Sequence, residues 1–430
     1  MRGLYFQDFL GQWETLLGDL DFVAISSVAQ AADVLRVLSG ANSPLKKLLE
    51  AVARETDLQQ EERLLAEKRE AADGAVDKLK QRLGALVGQA SQDEEQAAPA
   101  LDPVSARFAE LNSLVSKSEG GAAPIDDLLA QLNELYVQVS AMSGASGEAL
   151  LGEAKNQAVA SAQQVKLAGE RQPPLVQNLV NSVVSATTGS MMGGIRSQLN
   201  AAWTSEVVNI YRQSLAGRYP LVNGSAREAT LGDFGHFFGV GGVMDNYFRK
   251  YLQPYVDTSA RNWRWQPGAA EKLGIGAGVL QTFQRAAAIR DAFFRAGGTQ
   301  PAVRFELKPV AMDAAISQFL LDLDGQQLSY DHGPSRPVAM QWPSPNSLGV
   351  VRLAVTPPTG AGRSGLTLEG PWAWFRLLEQ SELTQGSSPD RFTLRLRVDN
   401  ASLACELRAS SAFNPFTSRV LTGFSLPERL

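Results

Sequence analysis

The run Phe319-Leu320-Leu321-Asp322-Leu323-Asp324-Gly325-Gln326-Gln327-Leu328-Ser329-Tyr330 decides how the last third of this chain is read. Phe319, Leu321 and Leu323 fall at every second position, the period of a half-buried strand. Asp324-Gly325 follows, a dipeptide that accepts the left-handed backbone of a two-residue hairpin turn. Leu328 and Tyr330 lie beyond it. Upstream, Val303, Phe305 and Leu307 alternate in a strand that Pro309 is expected to end or to place on an edge. Downstream, strands are expected at 338–342, 349–356, 365–369, 390–398 and 402–409, with turn residues at intervals typical of a β-sandwich. A short helix at 371–380 interrupts them. The expectation is an antiparallel sandwich over 301–430, joined to the preceding part near Ala302.

Working back from that junction, the period changes from two to near 3.6. Leu45, Leu48, Leu49 and Val52 share one helical face, and Leu58, Leu64 and Leu65 extend the pattern through a charge-rich stretch. Val76, Leu79, Leu83, Leu86 and Val87 form another stripe. Residues 91–100 are acidic, alanine-rich and broken by Pro99, and read as a connection. Asp102 with Pro103 is a helix start, followed by Val104, Phe108, Leu111 and Val115. Ile125, Leu128, Leu129, Leu132, Leu135, Tyr136 and Val139 make the next stripe. Helices are expected at 148–170 and 175–185, and a further long one carries Ile195, Leu199, Trp203, Val207, Ile210 and Tyr211 to a stop near Gly217. From 218 to 298 glycine and aromatic residues increase. Thr230 and Asp233 read as a capping-box variant before Phe234, Phe237 and Phe238. Met244, Phe248, Tyr251 and Leu252 form a short helix, and Val279, Phe283, Ala286, Ile289 and Phe294 a stronger one. The fold class is therefore α+β and multidomain: an elongated helical bundle region, then the sandwich. The segments are a helical domain at 1–190, a second helical domain at 191–300 and the sandwich at 301–430.

Composition narrows the function. The 430 residues are 44% hydrophobic and 20% charged, which excludes a wholly disordered chain. A net charge of −5 argues against a nucleic-acid backbone as the main partner. No apolar run approaches the ~18–20 residues of a membrane-spanning helix, and residues 1–8 do not read as a signal peptide. Cys405 is the single cysteine, so neither an internal disulfide nor a cysteine zinc site can form. It reads as a small buried strand residue. His236 sits among phenylalanines and is expected to be packed and neutral; His332 is expected to bond backbone in a turn.

Motifs that carry chemistry fail on inspection. Gly274-Ile275-Gly276-Ala277-Gly278-Val279 has valine where a dinucleotide loop needs its last glycine, and it reads as a loop and helix start. Gly239-Val240-Gly241-Gly242 fails the same test. Gly362-Arg363-Ser364-Gly365 misplaces the second glycine of a nucleophile elbow. Asp322/Asp324 and Asp245/Asp257 are available acids for a cell-wall or carbohydrate-processing enzyme, the alternative reading, which needs two carboxylates facing across a cleft. No catalytic, cofactor or metal residue is assigned. The aromatic groups Trp263/Trp265 and Trp372/Trp374/Phe375 read as core before interface, with one tryptophan plugging the sandwich.

Several blocks carry a family resemblance: Gly217-Arg218-Tyr219-Pro220, Asp233-Phe234 through Gly239, Tyr247-Phe248-Arg249-Lys250-Tyr251-Leu252, the run from Phe283 to Phe294, Phe305-Glu306-Leu307-Lys308-Pro309, Leu323-Asp324-Gly325-Gln326 with His332-Gly333-Pro334, Gly370-Pro371-Trp372 and Asn414-Pro415-Phe416. Together they resemble the C-terminal, periplasmic part of the TssM (IcmF-related) family of type VI secretion. The match is dense from about Ile195 onward and loose before it. The resemblance implies a periplasmic, non-enzymatic scaffold without cofactor, with transmembrane helices and a cytoplasmic domain upstream. It implies as partners the outer-membrane lipoprotein TssJ, TssL and further TssM copies. It defines no contact residue. A cytosolic helical adaptor is a third reading.

Overall fold

This computed structural model describes residues 2–57, 103–117, 121–144, 153–276, 278–345, 349–359, 362, 364–416, 420–422 and 424–430. The stripes expected between 58 and 87 and the connection at 91–100 lie outside those residues. The fold is α+β, helices first and antiparallel sheets last. Two compact units divide it, Met1–Ile195 and Arg196–Leu430.

The first unit is helical. Its helices are Arg2–Gly18, Val28–Ser39, Pro44–Thr56, Pro103–Val115, Pro124–Gly144, Glu153–Gly169 and the first part of Pro174–Trp203. Proline opens four of these, where its missing N–H would have no partner anyway. The Ser43 hydroxyl accepts from the Lys46 amide and caps Pro44–Thr56. Leu45, Leu49 and Val52 are buried as their spacing predicts. Leu17, Val52, Val104 and Phe108 form a core cluster against which Phe6, Phe9 and Trp13 pack.

Two helices here were not anticipated, Arg2–Gly18 and Val28–Ser39. The first carries Phe6, Phe9, Leu10, Trp13 and Leu17 on one face, which packs on the core, while Leu4, Tyr5 and Leu16 remain exposed. The second is announced by Ser27 with Gln30 three residues on, and the Ser27 hydroxyl does accept from the Gln30 amide. The expected break between 185 and 195 is absent, because Pro174–Trp203 runs through it as one helix. Its interior glycines are tolerated at about 1 kcal/mol each. Gly194 earns its place by proximity: a Cβ there would sit 2.9 Å from the Val28 side chain.

The second unit begins with the end of that helix, a π-turn at Thr204–Val208 and the helix Asn209–Ser214. Helices Leu231–Phe238, Val243–Tyr247, Ala269–Leu273 and Val279–Phe293 follow, with a two-residue pair, β1 (Val256–Asp257) and β2 (Arg264–Trp265), among them. The Asp233 amide donates to the Thr230 hydroxyl at 3.0 Å, the cap that the sequence announced.

The sheets come next: β3 (Val303–Met312), β4 (Gln318–Leu323), β5 (Gln326–Tyr330), β6 (Val338–Trp342), β7 (Val350–Thr356), β8 (Gly365–Glu369), β9 (Glu382–Gln385), β10 (Arg391–Val398) and β11 (Ala401–Ala409). One antiparallel sheet has the order β6-β3-β11-β10-β9, the other β5-β4-β7-β8. Strands β3, β7 and β10 bury every second side chain, and β10 meets β7 across the sandwich. The hairpin forms at Asp324 (φ 52°) and Gly325 (φ 87°). Strand β3 does not stop at Pro309. It pairs with β6 only as far as Leu307, so Pro309 lies where one neighbour has ended, opposite a register shift in β11. Strand β9 was not anticipated: four residues with no fully buried side chain leave no alternation to read.

Helix Ala373–Gln380 packs on β7, β8 and β9. Trp374 stacks on Phe305 with ring centres 5.2 Å apart, inside the sandwich. Trp372 points the other way and meets Phe234 at 5.0 Å and Trp342 at 4.9 Å. Its indole N–H donates to the Ala229 carbonyl at 2.7 Å. Next to it Arg376 pairs with Glu228 at 2.5 Å and lies 4.1 Å above the Tyr219 ring. An aromatic seam thus joins the helices to the sandwich. The C-terminal residues return to the helices: Phe424 packs on Phe238 at 4.9 Å, the Pro427 carbonyl accepts from Trp203 Nε1 at 2.8 Å, and the Leu430 amide donates to Asn200 at 2.8 Å.

Candidate docking surface

The strand period that buries Phe392, Leu394 and Leu396 turns the intervening residues of β10 outward. Register places Arg391 beside Arg408, Arg408 beside Glu306, Lys308 beside Glu406, and Arg395 beside Glu382. The outward face of the five-stranded sheet therefore carries Arg304, Lys308, Arg391, Arg395, Arg397 and Arg408 against Glu306, Glu382 and Glu406. Arg395 and Arg397 share one carboxylate, Glu382, at 3.7 and 3.3 Å. Arg391 reaches Glu406 at 3.3 Å, and Arg408 reaches Asp390 at 3.9 Å. At one end of the face an open groove of about 720 Å³ is lined by Arg304, Gln341, Arg408 and the segment after β11. The outer strands of the two sheets are β6 and β9, and β5 and β8.

The residues singled out in the sequence do not gather at this surface. Cys405 is fully buried on the inner face of β11, and burial pushes its thiol up to about 12. His332 Nε2 donates to the Ile316 carbonyl at 2.8 Å from a left-handed turn position (φ 64°), the backbone role expected of it. His236 is the correction: it is exposed, not packed. Phe234, Phe237 and Phe238 take the buried side of their helix, and position 236 falls on the opposite side.

The acids of the alternative reading are engaged locally. Asp324 accepts from the Val350 amide at 2.7 Å and Asp322 from the Gly325 amide at 2.7 Å, so both hold the hairpin. Asp245 pairs with Arg290 at 2.7 Å and accepts from the Gly241 amide at 2.8 Å. Asp257 accepts from the Ser259 hydroxyl and amide, which hold its carboxyl below the usual range. Residue 278 leads into the helix Val279–Phe293, as a helix start should; Ala277 lies outside the described residues. Trp263 and Trp265 are half-buried, and Trp263 packs on Phe248 at 4.8 Å. The outward basic face was not singled out in the sequence, although Arg391, Arg395 and Arg397 alternate openly with buried apolar residues.

Comparison with known proteins accounts for this division of the chain. The type VI secretion protein IcmF helical domain matches residues 195–299, and the IcmF C2-like domain matches residues 305–411. The IcmF-related model, described as intracellular multiplication and human macrophage-killing, matches residues 1–57. The type VI secretion system component TssM1 of Pseudomonas aeruginosa PAO1 is 73% identical over the whole chain. The chain belongs to the TssM/IcmF family of type VI secretion. It spans 40% of the length of TssM1. Two solved structures share the fold. A type VI secretion system membrane core complex aligns with 100% of this chain and 83% of its own at TM-score 0.65 and 18% identity. A type VI membrane complex aligns with 99% and 84% at TM-score 0.58 and 17% identity. Among the described residues of this TssM-family chain, no helix is long and apolar enough to cross a membrane.

Proposed function

We propose that this chain is a structural part of the type VI secretion membrane core complex, working in the periplasm as a scaffold and not as an enzyme. Residues 1–190 serve as the helical spacer, 191–300 form a second helical domain, and 301–430 is the docking head. That head receives the outer-membrane lipoprotein TssJ through strand edges or loops, and the assembled protein meets TssL and further TssM copies. The observation that carries the reading is the 73% identity to TssM1 along the entire chain. The fold supports it: the sandwich presents four outer strands, and an outer strand offers unpaired N–H and C=O groups to a partner.

The test is calorimetric titration of the chain with purified TssJ. Association at micromolar concentration is expected, and residues 196–430 alone should retain it. A mixture that stays unassociated, or binding that resides in residues 1–195, overturns the assignment of the head.

A further inference from the structure

The formal charge of −5 is unevenly shared. Residues 1–195 hold 16 Lys and Arg against 26 Asp and Glu, and residues 196–430 hold 24 against 19, so the two units carry −10 and +5. Much of the positive excess is concentrated on one plane, the outward face of the five-stranded sheet. There Arg391 and Arg408 stand directly opposite each other, a like-charge pair that weakens a sheet on its own. Two further guanidiniums, Arg395 and Arg397, have a single carboxylate between them. About half of each side chain is exposed, 52% for Arg391, 48% for Arg395, 57% for Arg397 and 56% for Arg408. Arginine presents a planar fork that suits carboxylates, and five of the six basic residues of this face are arginine. Interspersed acids at fixed register positions make a pattern, which suits a patterned protein surface better than a uniform anionic sheet of lipid.

We propose that this face, with the groove at its Arg304–Arg408 end, docks the acidic helical unit of a second copy of this chain. The charge complementarity lies within one sequence, so neighbouring copies in an assembly can satisfy each other head to tail. The proposal rests on the scaffold reading and names one surface through which copies meet.

Sedimentation of the full chain at rising concentration tests it. Self-association is expected at low salt. It should be lost near about 1 M salt, where the screening length falls to about 3 Å. The variant R395E/R397E, altered only at outward positions, should associate at least about tenfold more weakly. In a second variant, R395K/R397K, charge is kept and zero-length carbodiimide coupling becomes possible. In mixtures of isotopically light and heavy copies, inter-copy cross-links should reach carboxylates within residues 1–195; cross-links to Glu382 of the same sheet are the internal control. Inter-copy cross-links confined to residues 196–430, a chain that stays monomeric at every salt concentration, or binding to phosphatidylglycerol vesicles in place of self-association would each overturn the proposal. R395E/R397E should still bind TssJ. If it loses TssJ and keeps self-association, this inference fails while the scaffold reading stands.

Discussion

Replacing Trp372 by alanine tests whether the helices and the sandwich of the second unit are one cooperative body. Trp372 is fully buried between Phe234, Phe293, Trp342 and Phe375. Emptying such a site costs about 3–5 kcal/mol. The substitution also leaves the Ala229 carbonyl without its donor, worth about 1–3 kcal/mol more where the group stays buried. The combined loss is about 4–8 kcal/mol, and at about 2–4 °C per kcal/mol the melting point of this unit should fall by roughly 8–32 °C. Trp372→Phe keeps most of the volume and should cost only about 1–3 kcal/mol, mainly the hydrogen bond. The assay is amide hydrogen exchange with thermal melting. Amides of Leu231–Phe238 and of β10 and β11 should lose the same protection, because the seam couples them. Loss confined to the strands while Leu231–Phe238 keeps its full protection would refute the coupling.

Other expectations follow from single contacts. A Cβ on Gly235 would lie 1.8 Å from the Thr299 carbonyl oxygen, so Gly235→Ala should destabilise by about 1–3 kcal/mol in urea unfolding, although alanine is the better helix former in isolation. Hydrogen bonding from Lys46 holds the Asp126 carboxyl below its usual range. Its stabilising effect is therefore present above the ordinary carboxylate range and lost as pH falls through the lowered value, so the gap in melting temperature between the wild type and Asp126→Asn should close on acidification and not on alkalinisation. The buried Cys405 thiol should resist a thiol reagent at pH 8 in the folded chain and react at the rate of opening once urea is added; immediate reaction would contradict its place on the inner face.

The sequence made the sandwich legible because its inner face is strictly periodic. Phe392, Leu394 and Leu396 alternate with Arg391, Thr393 and Arg395, and Asp324-Gly325 marks the turn outright. Strand β9 escaped for the opposite reason, having no buried position to anchor a period. Helix Arg2–Gly18 was legible and passed over: Phe6, Phe9, Leu10, Trp13 and Leu17 recur at spacings of three and four on one face. The run through 186–194 misled because glycine and threonine are poor helix formers alone, while packing of Gly194 against Val28 and the hydrogen bond from Ser190 to the Ile25 carbonyl favour the helix here. The basic face of the five-stranded sheet was the least legible part. Its basic character depends on which residues of β3, β10 and β11 stand side by side, and register is a long-range property that local spacing does not state.

The return of the last residues to Trp203 and Asn200 has a mechanical consequence. Tension applied at Leu430 enters the helix Pro174–Trp203 through these two contacts, and the helix Leu231–Phe238 through Phe424 against Phe238, before it reaches any strand. The β-ladders are left out of the load path. A chain stretched by both ends would yield first by peeling of its tail, with the strands still zipped.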